Sequence, residues 1–319
     1  MRDAFIRTLT GLAERDPRIV LITGDLGFGV LTDFAQRFPE QFINAGVAEQ
    51  NMTMLACGMA REGARAYTYS IANFTTLRCL EQLRNDVCYH DADVTAVSVG
   101  GGFSYGQLGM SHFATEDLAI LRALPNMAVV APSDPWSASV LTGQLHARGG
   151  PAYLRLDKGS AGLPEAPGEI ALGRIRTVRE GGEVTIFATG AILGEALKAA
   201  DILATEGVGV AVADVHTLKP FDAEGVAALA RKARAVITLE EHTIVGGLGA
   251  AVAEACMEAG VHPKAFRRMG LKDCFPTVVG DQNFLRAFYG LDALAVARTV
   301  REALGRPVVP PASVSVAAS

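Results

Sequence analysis

Residues 42–70 read FINAGVAEQNMTMLACGMAREGARAYTYS. The opening is polar, the run over 47–62 spaces small and apolar side chains as a helix does, and ARAYTYS at 64–70 reads as a strand. The same rhythm continues in both directions. LITGD (21–25), VTAVSVG (94–100), MAVVAPSD (127–134) and PAYLRLD (151–157) read as strands, with helices expected at 1–15, 74–86 and 116–123. Short apolar runs alternating with amphipathic helices predict parallel sheets in an α/β fold.

At 319 residues the chain exceeds the ~100–200 of one domain, so two are expected. Gly, Pro and charge interrupt the rhythm over 161–182, which reads as a linker between a first domain at 1–160 and a second at 183–308. In the second, VTIFATG (184–190), VGVAVAD (208–214) and AVITLEE (235–241) alternate with helices at 193–206, 222–234 and 246–259. The Pro-, Ser- and Ala-rich tail at 309–319 is expected to be disordered.

Half the residues are apolar, and the formal charge of −5 comes without a basic cluster, so nothing suggests a nucleic-acid footprint. No stretch reaches the ~18 apolar residues of a membrane span, and the N-terminus lacks the apolar core of a signal peptide. Five scattered cysteines without CxxC spacing argue against a disulfide framework and a zinc site. They are expected to be buried thiols in a reducing cytoplasm.

Glu49 falls in the first turn of its helix, where the helix dipole alone favours an acid. Its segment does not stand alone. With IANFTTLRCLEQLRNDV (71–87), the run from Gly101 to Asp134, DVHTLKPFD (214–222) and LEEHTIVGGLGAAVAEA (239–255), it resembles the transketolase family over roughly residues 1–305. The resemblance implies two doubly wound α/β domains, a thiamine-diphosphate-type pyrimidine-binding domain and a transketolase C-terminal domain. Single-chain members are about twice as long, so the half that holds the diphosphate would be a separate subunit.

The family places a glutamate against the far nitrogen, N1′, of the cofactor's pyrimidine ring. A carboxyl group sharing a proton there favours the imino tautomer that deprotonates thiazolium C2, and burial beside an apolar ring keeps such a group protonated near neutrality. By resemblance Glu49 takes this role. Phe74 aligns with the aromatic stacked on the ring, and Arg78, one turn on, falls near the same ring. His112, in GMSHFATED, matches the motif histidine that faces the substrate and can donate to an oxygen or move a proton. Asp25 matches an aspartate near the cofactor cleft. Arg2 and Lys158 fall near phosphate-binding positions, where lysine supplies charge without arginine's fork.

Departures limit the substrate. Leu108 stands where sugar transketolases carry an acid, and Gly100 about where they carry a histidine. Each unmet buried hydrogen bond costs ~1–3 kcal/mol, which points to a less hydroxylated donor or an α-keto acid. Gly246-Gly247-Leu248-Gly249 lacks the full dinucleotide-loop order, so its glycines read as helix packing and Glu240, Glu241 and His242 as structural or interfacial.

The expected activity is transfer of a two-carbon ketol unit from a keto donor to an aldehyde. It would need thiamine diphosphate, Mg²⁺ held mainly by the partner, and an α2β2 assembly. Alternatives are the β subunit of a 2-oxo-acid dehydrogenase, half of a 1-deoxyxylulose-5-phosphate synthase-like enzyme, and a non-catalytic regulatory or scaffold subunit.

Overall fold

The computed structural model describes residues 1–165 and 170–307; the tail and part of the expected linker lie outside them. Among the described residues twelve strands form two sheets: β1 (Ile19–Thr23), β2 (Phe42–Asn44), β3 (Arg65–Ile71), β4 (Val94–Val99), β5 (Ala128–Val130), β6 (Ala152–Leu156), β7 (Arg176–Arg179), β8 (Val184–Thr189), β9 (Val210–Asp214), β10 (Thr217–Lys219), β11 (Ala235–Thr243) and β12 (Ala265–Leu271). The first sheet runs β10-β5-β6-β4-β3-β1-β2 and the second β12-β11-β8-β9-β7. All neighbours are parallel except β10 against β5 and β7 against β9.

Every residue of β4 and β8 is buried, as parallel strands covered on both faces require. On one face of the first sheet Phe5 and Leu9 of the helix Arg2–Ala13 pack with Ala138 and Leu141 of the helix Pro135–Arg148. On the other face lie Met52 and Ala56 of the helix Glu49–Arg61, with Leu83, Val87 and Leu118. The second sheet is likewise covered on both faces, by Ala196, Ala199, Val296 and Val300 on one side and Val226, Ala227, Leu248 and Val252 on the other. Both units are therefore doubly wound α/β layers.

Four local expectations change. The helix expected at 74–86 is broken into Ala72–Thr75, a 3-10 turn Leu77–Cys79, Leu80–Gln82 and a π-turn Leu83–Cys88. There the Thr76 hydroxyl and backbone compete, with Oγ1 donating to the Ala72 carbonyl at 2.6 Å and the backbone at φ −113°, ψ −86°. Residues 176–179, inside the span expected as linker, form the edge strand β7. Residues 217–219, inside the span expected as the second domain, extend the first sheet. Among the cysteines, Cys57, Cys79, Cys88 and Cys256 are buried as expected, but Cys274 is exposed.

The two units share a buried polar seam. Ser133 Oγ donates to Asp214 Oδ2 at 2.8 Å across it. Burial, with Asp134 nearby, pushes the Asp214 carboxyl up to about 7 although the Ser133 hydroxyl and Arg176 pull it down. Unfolded, the same carboxyl titrates near ~4. The stability this site contributes is therefore full below that value and lost as pH rises through about 7. Asp214→Asn keeps the neutral shape, so its melting temperature should exceed the unmutated chain's by a few degrees at about pH 8. The gap should close toward about pH 4, and melting curves across that range check it.

Candidate active site

In an open parallel sheet, loops beyond the carboxyl ends of the strands form the ligand crevice. The expected site residues map onto that edge. Asp25 follows β1, Glu49 opens the helix after β2, Phe74 and Arg78 follow β3, His112 follows β4 and Lys158 follows β6. Arg2 begins the first helix, which precedes β1.

Glu49 is 3% exposed. Its Oε2 accepts from the Arg78 guanidinium at 2.8 Å, and Thr53 Oγ1 donates to its backbone carbonyl at 2.9 Å. A Cβ added to Gly24 would lie 3.3 Å from Glu49 Cγ, so a glycine after β1 lets the carboxylate tuck under the strand end. The Arg78 guanidinium carbon stands 4.0 Å from the centroid of the half-buried Phe74 ring, a cation–π contact. Gln50 Nε2 donates to the Arg78 carbonyl at 3.0 Å.

Phe74 meets His112 edge-on with ring centroids 5.3 Å apart. The His112 Nδ1 lies 2.9 Å from Ser111 Oγ, and Asn73 Nδ2 donates to the Ser111 carbonyl at 2.8 Å. Beyond His112 stands Tyr105, centroids 6.3 Å apart, and the Lys158 ammonium sits 3.6 Å from the Tyr105 ring centre. Glu49, Arg78, Phe74, His112, Tyr105 and Lys158 thus form one continuous row.

Lys158 and Arg2 line a cavity of about 280 Å³ with Met1, Asp3, Val99 and Asp157. Burial first, and then the Arg2 charge, holds the Lys158 ammonium below the usual lysine value. Arg2 also donates to Asp3 Oδ1 at 2.9 Å, so it already has an anionic partner in this cavity. Lys158 also borders a second cavity of about 410 Å³, lined by Tyr105, Leu108 and Gln282 among others.

Asp25 stands apart from the row. It is exposed, has φ +56°, and exchanges hydrogen bonds with Asn44, each at 3.0 Å. The structure thus ties it to the last residue of β2, and these hydrogen bonds involve neither Glu49 nor Arg78.

Tyr105, Asn73 and Ser111 were not singled out from the sequence. Tyr105 explains Gly100, which has φ +90° and would place an added Cβ 2.1 Å from the Tyr105 ring. The tyrosine ring therefore fills the space a side chain at position 100 would need. Leu108 is 55% exposed and lines the second cavity with Tyr105 and Lys158. Among the described residues no cluster of three or more His, Cys, Asp or Glu could hold a metal ion. None of the described helices is long and apolar enough to cross a membrane.

The fold and this edge define a pair of doubly wound α/β domains with an acid, an aromatic and a histidine aligned on the ligand side of the first sheet. Comparison with known families matches residues 1–163 to the transketolase pyrimidine binding domain and residues 173–296 to the transketolase C-terminal domain. The chain belongs to the transketolase family, as a subunit carrying these two domains. It is 37% identical to the 6-deoxy-6-sulfo-D-fructose transketolase subunit SqwH of a Clostridium species, over 96% of this chain and 95% of that one. It is 35% identical to an apulose-4-phosphate transketolase subunit of Phocaeicola vulgatus, over 94% and 96%. With the 1-deoxy-D-xylulose-5-phosphate synthase of Syntrophotalea carbinolica it shares 38% identity over 93% of this chain but 47% of that one. A solved split-gene transketolase, described as an inactive beta4 tetramer, superposes with a TM-score of 0.85 at 36% identity, over 95% of this chain and 97% of that one.

Proposed function

We propose that this chain is the pyrimidine-side half of a thiamine-diphosphate-dependent transketolase and turns over only when joined to a diphosphate-binding partner, in an α2β2 assembly. The observation that carries this reading is the buried Glu49 carboxylate, linked through Arg78 to the Phe74 ring at the carboxyl edge of the sheet. An aminopyrimidine needs both groups, one to meet N1′ and one to cover its face. Thiamine diphosphate, once bound against Glu49 and Phe74, would supply the carbanion chemistry of two-carbon transfer. The partner holds its diphosphate and Mg²⁺.

In this reading Glu49 holds a proton at N1′ and Phe74 fixes the plane of the ring. His112, oriented by Ser111, donates to a substrate oxygen or receives its proton. Arg2 and Lys158 hold the anionic end of the substrate in the cavity they share. Relatives are named for a sulfo-sugar and a sugar phosphate, so the proposed substrates are keto and aldehyde compounds ending in a sulfonate or phosphate. Asp25 supports the loop under the cofactor cleft through Asn44. Free, unpaired cysteines fit a cytoplasmic location.

Combined with a diphosphate-binding transketolase half, the chain is expected to transfer a ketol unit between a ketose phosphate and an aldose phosphate, while neither half does so alone. Acylation of a lipoyl domain in place of ketol transfer would assign the chain to the 2-oxo-acid dehydrogenases instead. Ketol transfer by the chain without any partner would remove the proposed dependence.

A further inference from the structure

We propose that Arg78 is a placeholder for the cofactor's pyrimidine ring, occupying the Glu49–Phe74 slot in the free subunit and leaving it when the ring arrives. The inference rests on the reading of Glu49 and Phe74 given above. Its basis is a coincidence of space. A guanidinium is flat and cationic and donates hydrogen bonds; the ring is flat and presents polar edges. Arg78 already makes both contacts the ring needs, 2.8 Å to Glu49 Oε2 and 4.0 Å to the Phe74 centroid. Arg78 holds Glu49 Oε2 and lies against Phe74, so a ring that takes the same oxygen and the same face displaces it.

The surroundings permit that movement. The Arg78 side chain is 43% exposed while the Glu49 side chain is 4% exposed, so the arginine can swing into solvent and the acid stays. Arg78 sits on the short 3-10 turn Leu77–Cys79 in the broken segment after β3, and its backbone is pinned independently through Gln50. What the placeholder gives is a preorganised slot. Without a cation beside it, a buried carboxylate and an uncovered ring would relax toward other partners. The cost is a weaker first encounter with the ring, by about tenfold, the size of one half-exposed ion pair and one cation–π contact combined.

The test uses the intact chain alone and 4-amino-5-hydroxymethyl-2-methylpyrimidine as probe, with binding followed by NMR titration. Arg78→Ala should bind this probe about tenfold tighter than the unmutated chain, and Arg78→Lys, which keeps charge but not the flat fork, should fall between them. Guanidinium chloride at non-denaturing concentration should compete with the probe in Arg78→Ala, where sodium chloride at the same strength does not. That competition is a readout a purely structural arginine would not give. Equal probe affinity in the unmutated chain and Arg78→Ala, or absence of competition by guanidinium, overturns the placeholder while leaving Glu49's role untouched. Probe binding to Arg78→Ala that survives a second change, Glu49→Ala, which leaves no group to meet N1′, would instead remove Glu49 from the slot and with it the reading on which the placeholder rests.

Discussion

Glu49→Gln should lower ketol-transfer turnover of the assembled enzyme by about 10²–10⁴, the usual worth of a positioned proton-transfer group, while leaving folding and assembly in place. The variant keeps the length and shape of the side chain. Its amide can still lie beside N1′, but it cannot pass a proton to and from that nitrogen. The structural loss is small. The ion pair removed joins a buried carboxylate to an arginine that is 43% exposed, and such pairs are worth about 0–1 kcal/mol once solvent screening is counted. Melting temperature and size-exclusion profile should therefore stay close to those of the unmutated chain. Glu49→Asp should lie between the two, since it retains the acid but withdraws it by one methylene. Unchanged turnover in Glu49→Gln would exclude this residue from the chemistry.

The layers were legible because period decides them. Runs such as VTAVSVG and VTIFATG are apolar on both faces, and parallel strands buried on both sides have no other signature. The edge strands β7 and β10 were hidden for the opposite reason. RTVR and TLK are short, carry charge and pair antiparallel at a sheet margin, so nothing local distinguishes them from loop. That β10 joins the other unit's sheet is a long-range outcome, helped by Lys219, whose ammonium donates to the Leu124 carbonyl and to the Arg122 carbonyl at 3.2 Å.

At the site, residue identity was readable and contact was not. A motif can single out Glu49, Phe74 and His112, but no spacing rule says that Arg78 would bridge the first two. Nor does it say that Tyr105 would close the space at Gly100. The broken helix after β3 is what places Arg78 beside Phe74, with Thr76 at the break in a non-helical backbone, φ −113° and ψ −86°.

Glu241→Ala should be strongly destabilising, costing ~3–5 kcal/mol in denaturant unfolding. Glu241 is 4% exposed and belongs to the second unit, yet it serves both. Its Oε2 accepts from Arg286 Nε at 2.5 Å, and its Oε1 from Gln282 Nε2 at 2.7 Å and from the Phe103 backbone N–H at 2.6 Å. The room for that carboxylate is made by Gly102, φ +56°, where an added Cβ would fall 2.5 Å from Oε1. Removal strands a guanidinium that is 7% exposed and a buried N–H together, and it is the uncompensated charge that dominates. Burial is the largest single influence and opposes the charge on Arg286, but Glu241 first, with Asp157 and Glu195, holds the group above the usual guanidinium value. Arg286→Leu on the Glu241→Ala background should therefore recover a large part of the loss, since two missing charges cost less than one. The effect should also reach the site. Phe103 lies in the loop that carries Tyr105 and, through it, touches His112 and Lys158, so the variant should lose turnover even at denaturant-free conditions where it is folded. A loss below ~1 kcal/mol in Glu241→Ala, measured from the unfolding midpoint and slope, would mean that the seam between the two units does not depend on this carboxylate.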